Sequence, residues 1–167
     1  MMKYNVYNGT NPIKEEVYSK IYKIIINNYG IREKLNTEEL KKKDTVAAYN
    51  NWIHTILYTK DYNIVAFYNT SNTIIGFIAF MYTEAGLCLS EVQIVPEYQS
   101  KNNTLRKMLK TILEICDKKR SKKIFGTINH KNIKSINVFT HIGFNNIKEN
   151  KYEISYDNLL KWVYEKN

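Results

Sequence analysis

The stretch IVPEYQSKNNTLRKM, Ile94 to Met108, reads as a strand that ends at Pro96, a polar turn, and the opening of a basic helix. A strand that feeds a helix through a tight turn leaves backbone N–H groups pointing outward, and the helix dipole adds roughly half a positive charge at that end. Such a turn suits an anion. Glycine is the residue best fitted to it, because glycine takes positive φ without a steric cost and lets a ligand approach the backbone. Here the turn carries Asn102, Asn103 and Thr104 instead. Asparagine is the next best residue in left-handed conformations, since its short amide bonds locally. The threonine hydroxyl can cap the helix or touch a phosphate. The residue types keep an anion site feasible without glycine.

The elements around the turn follow from periodicity. Ile13, Val17, Ile21, Ile24 and Ile25 recur at helical steps and predict a helix from Ile13 to Asn28 that Gly30 breaks. A second amphipathic segment runs from about Thr45 to Leu57, with Val46, Tyr49, Trp52, Ile53 and Ile56 on one side. NIVAFYN from Asn63, TIIGFIAFMYT, and Leu87 to Val95 read as three strands joined by short turns, an antiparallel meander. Leu105, Met108, Leu109, Ile112, Ile115 and Cys116 form the clearest helical stripe. A strand from Lys123 to Ile128 follows, then a helix from Asn132 to Ile142 that stops at Gly143. Phe144 to Lys148 and Tyr152 to Tyr156 read as strands, and Asp157 is expected to cap a closing helix, Asn158 to Glu165. The unit from Leu87 to Ile128 needs a crossover, so the class is α+β, or mixed α/β, with parallel pairing at that crossover.

A chain of 167 residues with 44% apolar content fits one domain, residues 1–167, with no visible linker. MMKYNVYNGT lacks an apolar core of signal-peptide length and no run approaches the ~20 apolar residues of a membrane span, so the expected location is the cytoplasm with no membrane partner. Cys88 and Cys116 have no metal-ligand or redox spacing, and His54, His130 and His141 have none either, so no metal is expected. The net charge of +9 is spread through a sequence rich in Lys, Asn, Ile and Tyr, so it identifies no anionic partner by itself.

At the turn the sequence resembles the GNAT superfamily of N-acetyltransferases, whose pyrophosphate signature is Gln or Arg, two residues, Gly, one residue, then Gly or Ala. Gln99, Asn102 and Thr104 occupy those positions. VQIVPEYQ leads in as that family's central strand does. NIKSINVFTHIGF is similar to its Asn-x-x-Ala-x-x-x-Tyr-x-x-x-Gly-Phe segment, with Asn132, Ser135, Phe139, Gly143 and Phe144 at the spaced positions. The resemblance covers Asn63 to Tyr156. It implies a mixed, mostly antiparallel twisted sheet with a splayed central parallel pair, flanked by helices.

The resemblance further implies acetyl-CoA as cosubstrate and an amine as the group acetylated, by direct transfer in a ternary complex. The pantetheine arm would run along Ile94 and Val95, held by main-chain groups. The phosphates would lie at Gln99, Ser100, Lys101, Asn102, Asn103, Thr104 and Leu105, with Arg106 adding charge, and Asn132, Ser135 and Phe139 would meet the cofactor from the second helix. An alkyl amine of pKa ~10.4 costs about 4.6 kcal/mol to present unprotonated at pH 7. Glu91, three residues before Ile94, is the carboxylate chosen as base, or else as the group that binds the substrate cation. Phe139 stands where many members have a tyrosine that protonates the departing thiolate. A phenyl ring has no proton to give, so solvent or another residue supplies it, or the thiolate leaves unaided.

The alternatives come from the same residues. Without the glycines and the tyrosine, the chain reads as a GNAT-like protein that binds acyl-CoA without efficient catalysis. A basic nucleic-acid-binding module is the weakest reading, having charge but no recognition motif. Trp52, Tyr49, Tyr82 and Glu84 are candidate lining for an amine pocket. The amine itself is not legible, and a homodimer stays open because dimers are frequent in that family.

Overall fold

The seven strands are β1 Lys3–Tyr7, β2 Tyr62–Tyr68, β3 Ile74–Thr83, β4 Gly86–Ile94, β5 Lys123–Thr127, β6 Asn145–Lys148 and β7 Lys151–Ser155. In the computed structural model, which describes residues 2–59, 61–101 and 103–165, they form one sheet in the order β1-β2-β3-β4-β5-β7-β6. Helices α1 Glu15–Glu33, α2 Thr37–Lys43 and α3 Val46–Tyr58 precede β2. Helix α4 Thr104–Ile115 makes the crossover from β4 to β5, α5 Ile133–Ile142 follows β5, and α6 Tyr156–Tyr164 follows β7. The pair β4 and β5 is parallel. The pairs β1 with β2, β5 with β7 and β6 with β7 are antiparallel. The fold is therefore the mixed α/β class with a mostly antiparallel sheet that the sequence implied.

Contacts divide the chain into two units, Met1–Ala79 with Glu91–Lys101, and Phe80–Ser90 with Asn102–Asn167. In the first, α1 and α3 bring Tyr18, Ile21, Ile24 and Ile56 onto Ile64, Ile74, Phe77 and Ala79 of β2 and β3, with Trp52 and Val95 packed against them. In the second, Met108, Leu109, Ile112 and Leu113 of α4 are buried, as are Ile124, Ile154, Leu159 and Val163. Two glycines let the parallel strands approach. A side chain at Gly86 (φ +133) would meet the Lys123 carbonyl oxygen at 2.3 Å, and one at Gly126 would meet the Leu89 carbonyl oxygen at 2.9 Å. The parallel register covers Leu87 with Ile124 and Cys88 with Phe125, and β4 continues past it to Ile94.

Two local expectations are corrected, on Gly30 and Asp157, and two elements appear that the sequence reading did not name. Gly30 does not end the first helix. It lies within α1, where a Cβ would meet Leu40 Cδ1 at 2.9 Å, and the helix stops at left-handed Lys34. The segment Lys3–Tyr7 is a strand, hidden from periodicity because most of it is exposed. Thr37–Lys43 is a helix with no buried residue, held by a capping box in which the Asn36 side chain accepts from the Glu39 N–H and the Glu39 carboxylate accepts from the Asn36 N–H. The cap of α6 is Ser155, whose Oγ accepts from the Asn158 N–H at 3.2 Å; Asp157 sits in the first turn, where it faces the helix dipole.

Candidate active site

Strand alternation puts Glu91 and Gln93 on the same face of β4. Gln93 Nε2 donates to Glu91 Oε2 at 2.9 Å. From α1, Asn28 Nδ2 donates to Gln93 Oε1 at 2.9 Å and to the Ile94 carbonyl at 3.0 Å. These residues make a polar line from the end of the strand back to Glu91. Burial pushes the Glu91 carboxyl above the usual glutamate range, while the Gln93 amide and the Arg32 guanidinium pull it back. Burial dominates, so the carboxyl holds its proton more tightly than an exposed glutamate does. Arg32 is itself engaged, with Nε 2.9 Å from Glu33 Oε1 and its guanidinium 5.0 Å from the Tyr29 ring centre.

The strand end beyond Glu91 is tied down. The Val95 N–H donates to the Ile75 carbonyl at 3.0 Å, which continues the ladder with β3. The Ile94 carbonyl accepts from Gln99 Nε2 at 2.9 Å as well as from Asn28. A short 3-10 turn, Pro96–Tyr98, follows, and its Tyr98 hydroxyl accepts from Asn69 Nδ2 at 3.1 Å.

The question of how the turn manages without glycine has a conformational answer. Ser100 (φ 59) and Asn103 (φ 54) both adopt left-handed backbone, the conformation usually given to glycine. Asparagine at 103 was legible in these terms, whereas serine at 100 gave no such signal. Asn103 is the N-cap of α4 and makes no side-chain cap hydrogen bond, and the first turn of the helix carries no acid. Ser100, Lys101 and Asn103 are exposed, Leu105 is half-buried, and Thr104 is 5% exposed and turned into the fold. Asn102 lies outside the described residues.

The other candidates divide. Asn132 is the N-cap of α5, its Oδ1 accepting from the Ser135 N–H at 3.2 Å, so these two residues are brought together. Phe139 sits at the other end of α5. There the Phe144 N–H bonds to the Phe139 carbonyl and the Gly143 N–H to the Thr140 carbonyl, both at 3.0 Å, and the Phe139 and Phe144 rings meet edge to face at 5.0 Å. This is a Schellman stop with its apolar contact. Arg106 turns to α6, where its guanidinium lies 4.4 Å from the Trp162 ring centre and donates to the Glu165 carbonyl at 2.6 Å. Tyr82 accepts from the Asp117 N–H at 2.8 Å and lies under Arg120, while Tyr49 and Trp52 pack on Tyr22 in the helical layer.

Sequence reasoning missed Gln93 and Asn28. The signal available was an asparagine at position 28, four residues after Ile24 and seven after Ile21, on the buried stripe of α1. A cavity of about 600 Å³ lies elsewhere in the first unit, among Asn5, Tyr7, Lys14, Tyr68 and Asn72, and neither Glu91 nor the turn lines it. Its Tyr7 and Tyr68 hydroxyls are 3.1 Å apart, and burial with that bond pushes Tyr68 up to about 12. Among the described residues no cluster of His, Cys, Asp and Glu is arranged to hold a metal, and no helix is long and apolar enough to cross a membrane.

No protein-family model matches the sequence. No curated protein matches it in sequence. Solved structures do match the fold. An acetyltransferase of the GNAT family from Staphylococcus aureus Mu50 is 14% identical with a TM-score of 0.68, covering 93% of this chain and 99% of its own. The PaiA N-acetyltransferase from Thermoplasma acidophilum in complex with coenzyme A is 15% identical with a TM-score of 0.67, covering 92% and 99%. Spermidine N-acetyltransferase from Vibrio cholerae in complex with CoA and spermine is 11% identical with a TM-score of 0.64, covering 95% and 98%. The chain has the fold of these acetyltransferases.

Proposed function

We propose that this protein is a GNAT-type N-acetyltransferase, one acyl-CoA N-acyltransferase-like domain over residues 1–167, that moves acetyl from acetyl-CoA directly to a primary amine in a ternary complex. The observation that carries the reading is the half-buried Glu91 carboxylate on β4, held by Gln93 and raised in proton affinity by burial. The shared fold, and the CoA and spermine bound by the neighbours named above, support the cosubstrate and the amine class.

The turn from Gln99 to Leu105 fits the phosphates of the cofactor. Two left-handed residues curl its main chain, and an α4 N-terminus without a side-chain cap or an acid in its first turn favours an anion. Gln99 must release the Ile94 carbonyl if a cofactor amide is to bond there. Asn132 and Ser135 remain candidate contacts from α5.

Acetyl-CoA supplies a thioester whose carbonyl carbon is attacked by the unprotonated amine; the C–N bond forms, the C–S bond breaks, and sulfur leaves with the bonding pair. Glu91 takes the amine proton. An unperturbed carboxylate is a poor partner for an ammonium of pKa ~10.4, and burial narrows the mismatch in the useful direction. Phe139 supplies no proton to sulfur, so the thiolate leaves to solvent, which a thiol pKa of ~8.5 makes affordable.

The absent tyrosine hydroxyl favours a second reading, an acyl-CoA-binding protein that does not turn over. Release of CoA thiol, followed with acetyl-CoA and a panel of polyamines, amino acids and peptide N-termini, separates the two. Release that depends on one amine class and is lost in Glu91→Gln supports the enzyme. Binding of acetyl-CoA without release for any amine supports the alternative.

A further inference from the structure

The polar line that ends on Glu91 has a direction, and an atom that cannot be turned round sets it. A peptide carbonyl only accepts hydrogen bonds. Asn28 must therefore present its NH2 group to the Ile94 carbonyl at 3.0 Å, and that nitrogen, with two hydrogens, also reaches Gln93 Oε1 at 2.9 Å. Gln93 is then obliged to turn its own NH2 toward Glu91 Oε2, 2.9 Å away. The two ends of an amide are alike in shape, so the network and not the fit decides the orientation.

The arrangement leaves one polar atom of Asn28 unpaired while its nitrogen makes two bonds. Asn28 lies on the stripe of α1 that otherwise buries Ile21 and Ile24, and its Oδ1 is buried with no hydrogen-bond partner among the described residues. A buried polar atom left unpaired costs about 1–3 kcal/mol. An isoleucine there would continue the stripe and leave no such atom, but it would also take the donor from Gln93 Oε1.

We propose that Asn28 and Gln93 are positioning residues, an amide relay that runs from the Ile94 carbonyl to Glu91, fixes Oε2 as a hydrogen-bond acceptor and leaves the proton to be taken at Oε1. The role in catalysis rests on the acetyltransferase reading above; the relay itself does not. It also joins the base to the strand end assigned to the cofactor, because one Asn28 nitrogen serves both. The charged groups to be weighed beside it are Arg32, which pulls the Glu91 carboxyl down, and Glu33, which is paired with Arg32.

The test is a titration of the Glu91 carboxyl by NMR in carboxyl-labelled protein without cofactor, the signal assigned by its loss in Glu91→Gln. Gln93→Leu removes a bond to a charged acceptor and should raise the Glu91 midpoint by about one pH unit. Asn28→Leu frees Gln93 to turn and should raise it by less. The double variant should move it no further than Gln93→Leu does, since both act through one bond. If either leucine variant fails to fold, Gln93→Met and Asn28→Ala carry the same comparison. An unchanged midpoint in the Gln93 variant, or shifts that add in the double variant, would overturn the relay. The acid limb of the turnover profile should move with the midpoint; a limb that stays fixed while the midpoint moves would remove Glu91, and with it the relay's catalytic role. Loss of acetyl-CoA binding would show in a separate ligand assay and would count against the function, not against the titration.

Discussion

Gln99 Nε2 reaches back from the turn to the Ile94 carbonyl oxygen, 2.9 Å away, and so ties the end of β4 to the residue that opens the turn. The carbonyl also accepts from Asn28, so both of its lone pairs are in use. Gln99→Ala should lower stability by about 1 kcal/mol, the net worth of one hydrogen bond. It should also strengthen acetyl-CoA binding, because the Ile94 carbonyl no longer has to be released by Gln99 before a cofactor amide bonds there. Denaturant midpoints with and without acetyl-CoA measure both effects.

Ser100 and Asn103 hold positive φ without being glycine. A non-glycine residue pays roughly 1–2 kcal/mol there, and glycine gives back about 0.5–1 kcal/mol in chain entropy. Ser100→Gly and Asn103→Gly should each raise stability by up to about 1 kcal/mol, the serine change more. Asn103→Val should lower it, since a branched Cβ fits that conformation worst. Thermal midpoints of the three variants give the comparison.

Phe139 packs its ring against Phe144 at 5.0 Å to close α5. Phe139→Ala should cost about 2 kcal/mol, below the range for a fully buried ring because Phe139 is half-buried. Phe139→Tyr should keep the contact and the stability within about 0.5 kcal/mol. If the added hydroxyl serves the departing sulfur, turnover should rise by less than about tenfold, because the thiolate already leaves well. Calorimetry and steady-state rates check the two parts.

What was legible in the sequence was whatever burial had written into it. The strands of the central sheet are apolar runs, and α4 carries the plainest stripe. The strand Lys3–Tyr7 and helix α2 were not found, because neither buries a face: KYNVY is mostly exposed and TEELKKK has no buried residue. The capping pair Asn36 and Glu39 was the signal that would have marked α2. Gly30 misled because a helix tolerates glycine where a neighbour, here Leu40, fills the space. In the candidate site, Glu91 and the asparagine turn could be chosen from residue type and spacing. Asn28 was marked only as an asparagine on an apolar stripe, and its pairing with Gln93 was not legible, since that bond joins residues 65 apart in sequence and exists only once α1 packs on β4.

Glu91 also predicts a pH dependence of stability. Burial raises its folded pKa above the unfolded value, so the folded state binds the proton more tightly. The stability it contributes is fully present below the unfolded pKa and is lost as pH rises through the folded pKa. Glu91→Gln should therefore gain on the wild type as pH rises through that window and match it in acid. Chemical denaturation across pH 4 to 8 reads the difference, and curves that run parallel would show that Glu91 is not held in this way.

The most direct test of the account is thermal unfolding with and without saturating acetyl-CoA at moderate salt. Ligand at about 100 times its dissociation constant stabilises by about 2.7 kcal/mol, a rise of roughly 5 to 10 °C for a chain of this size. A rise of that order that survives moderate salt, and that persists in Glu91→Gln while thiol release does not, is the predicted result. A midpoint that acetyl-CoA leaves unmoved would contradict the account, because the turn built on Ser100 and Asn103 would then hold no cofactor and Glu91 would have no thioester to serve.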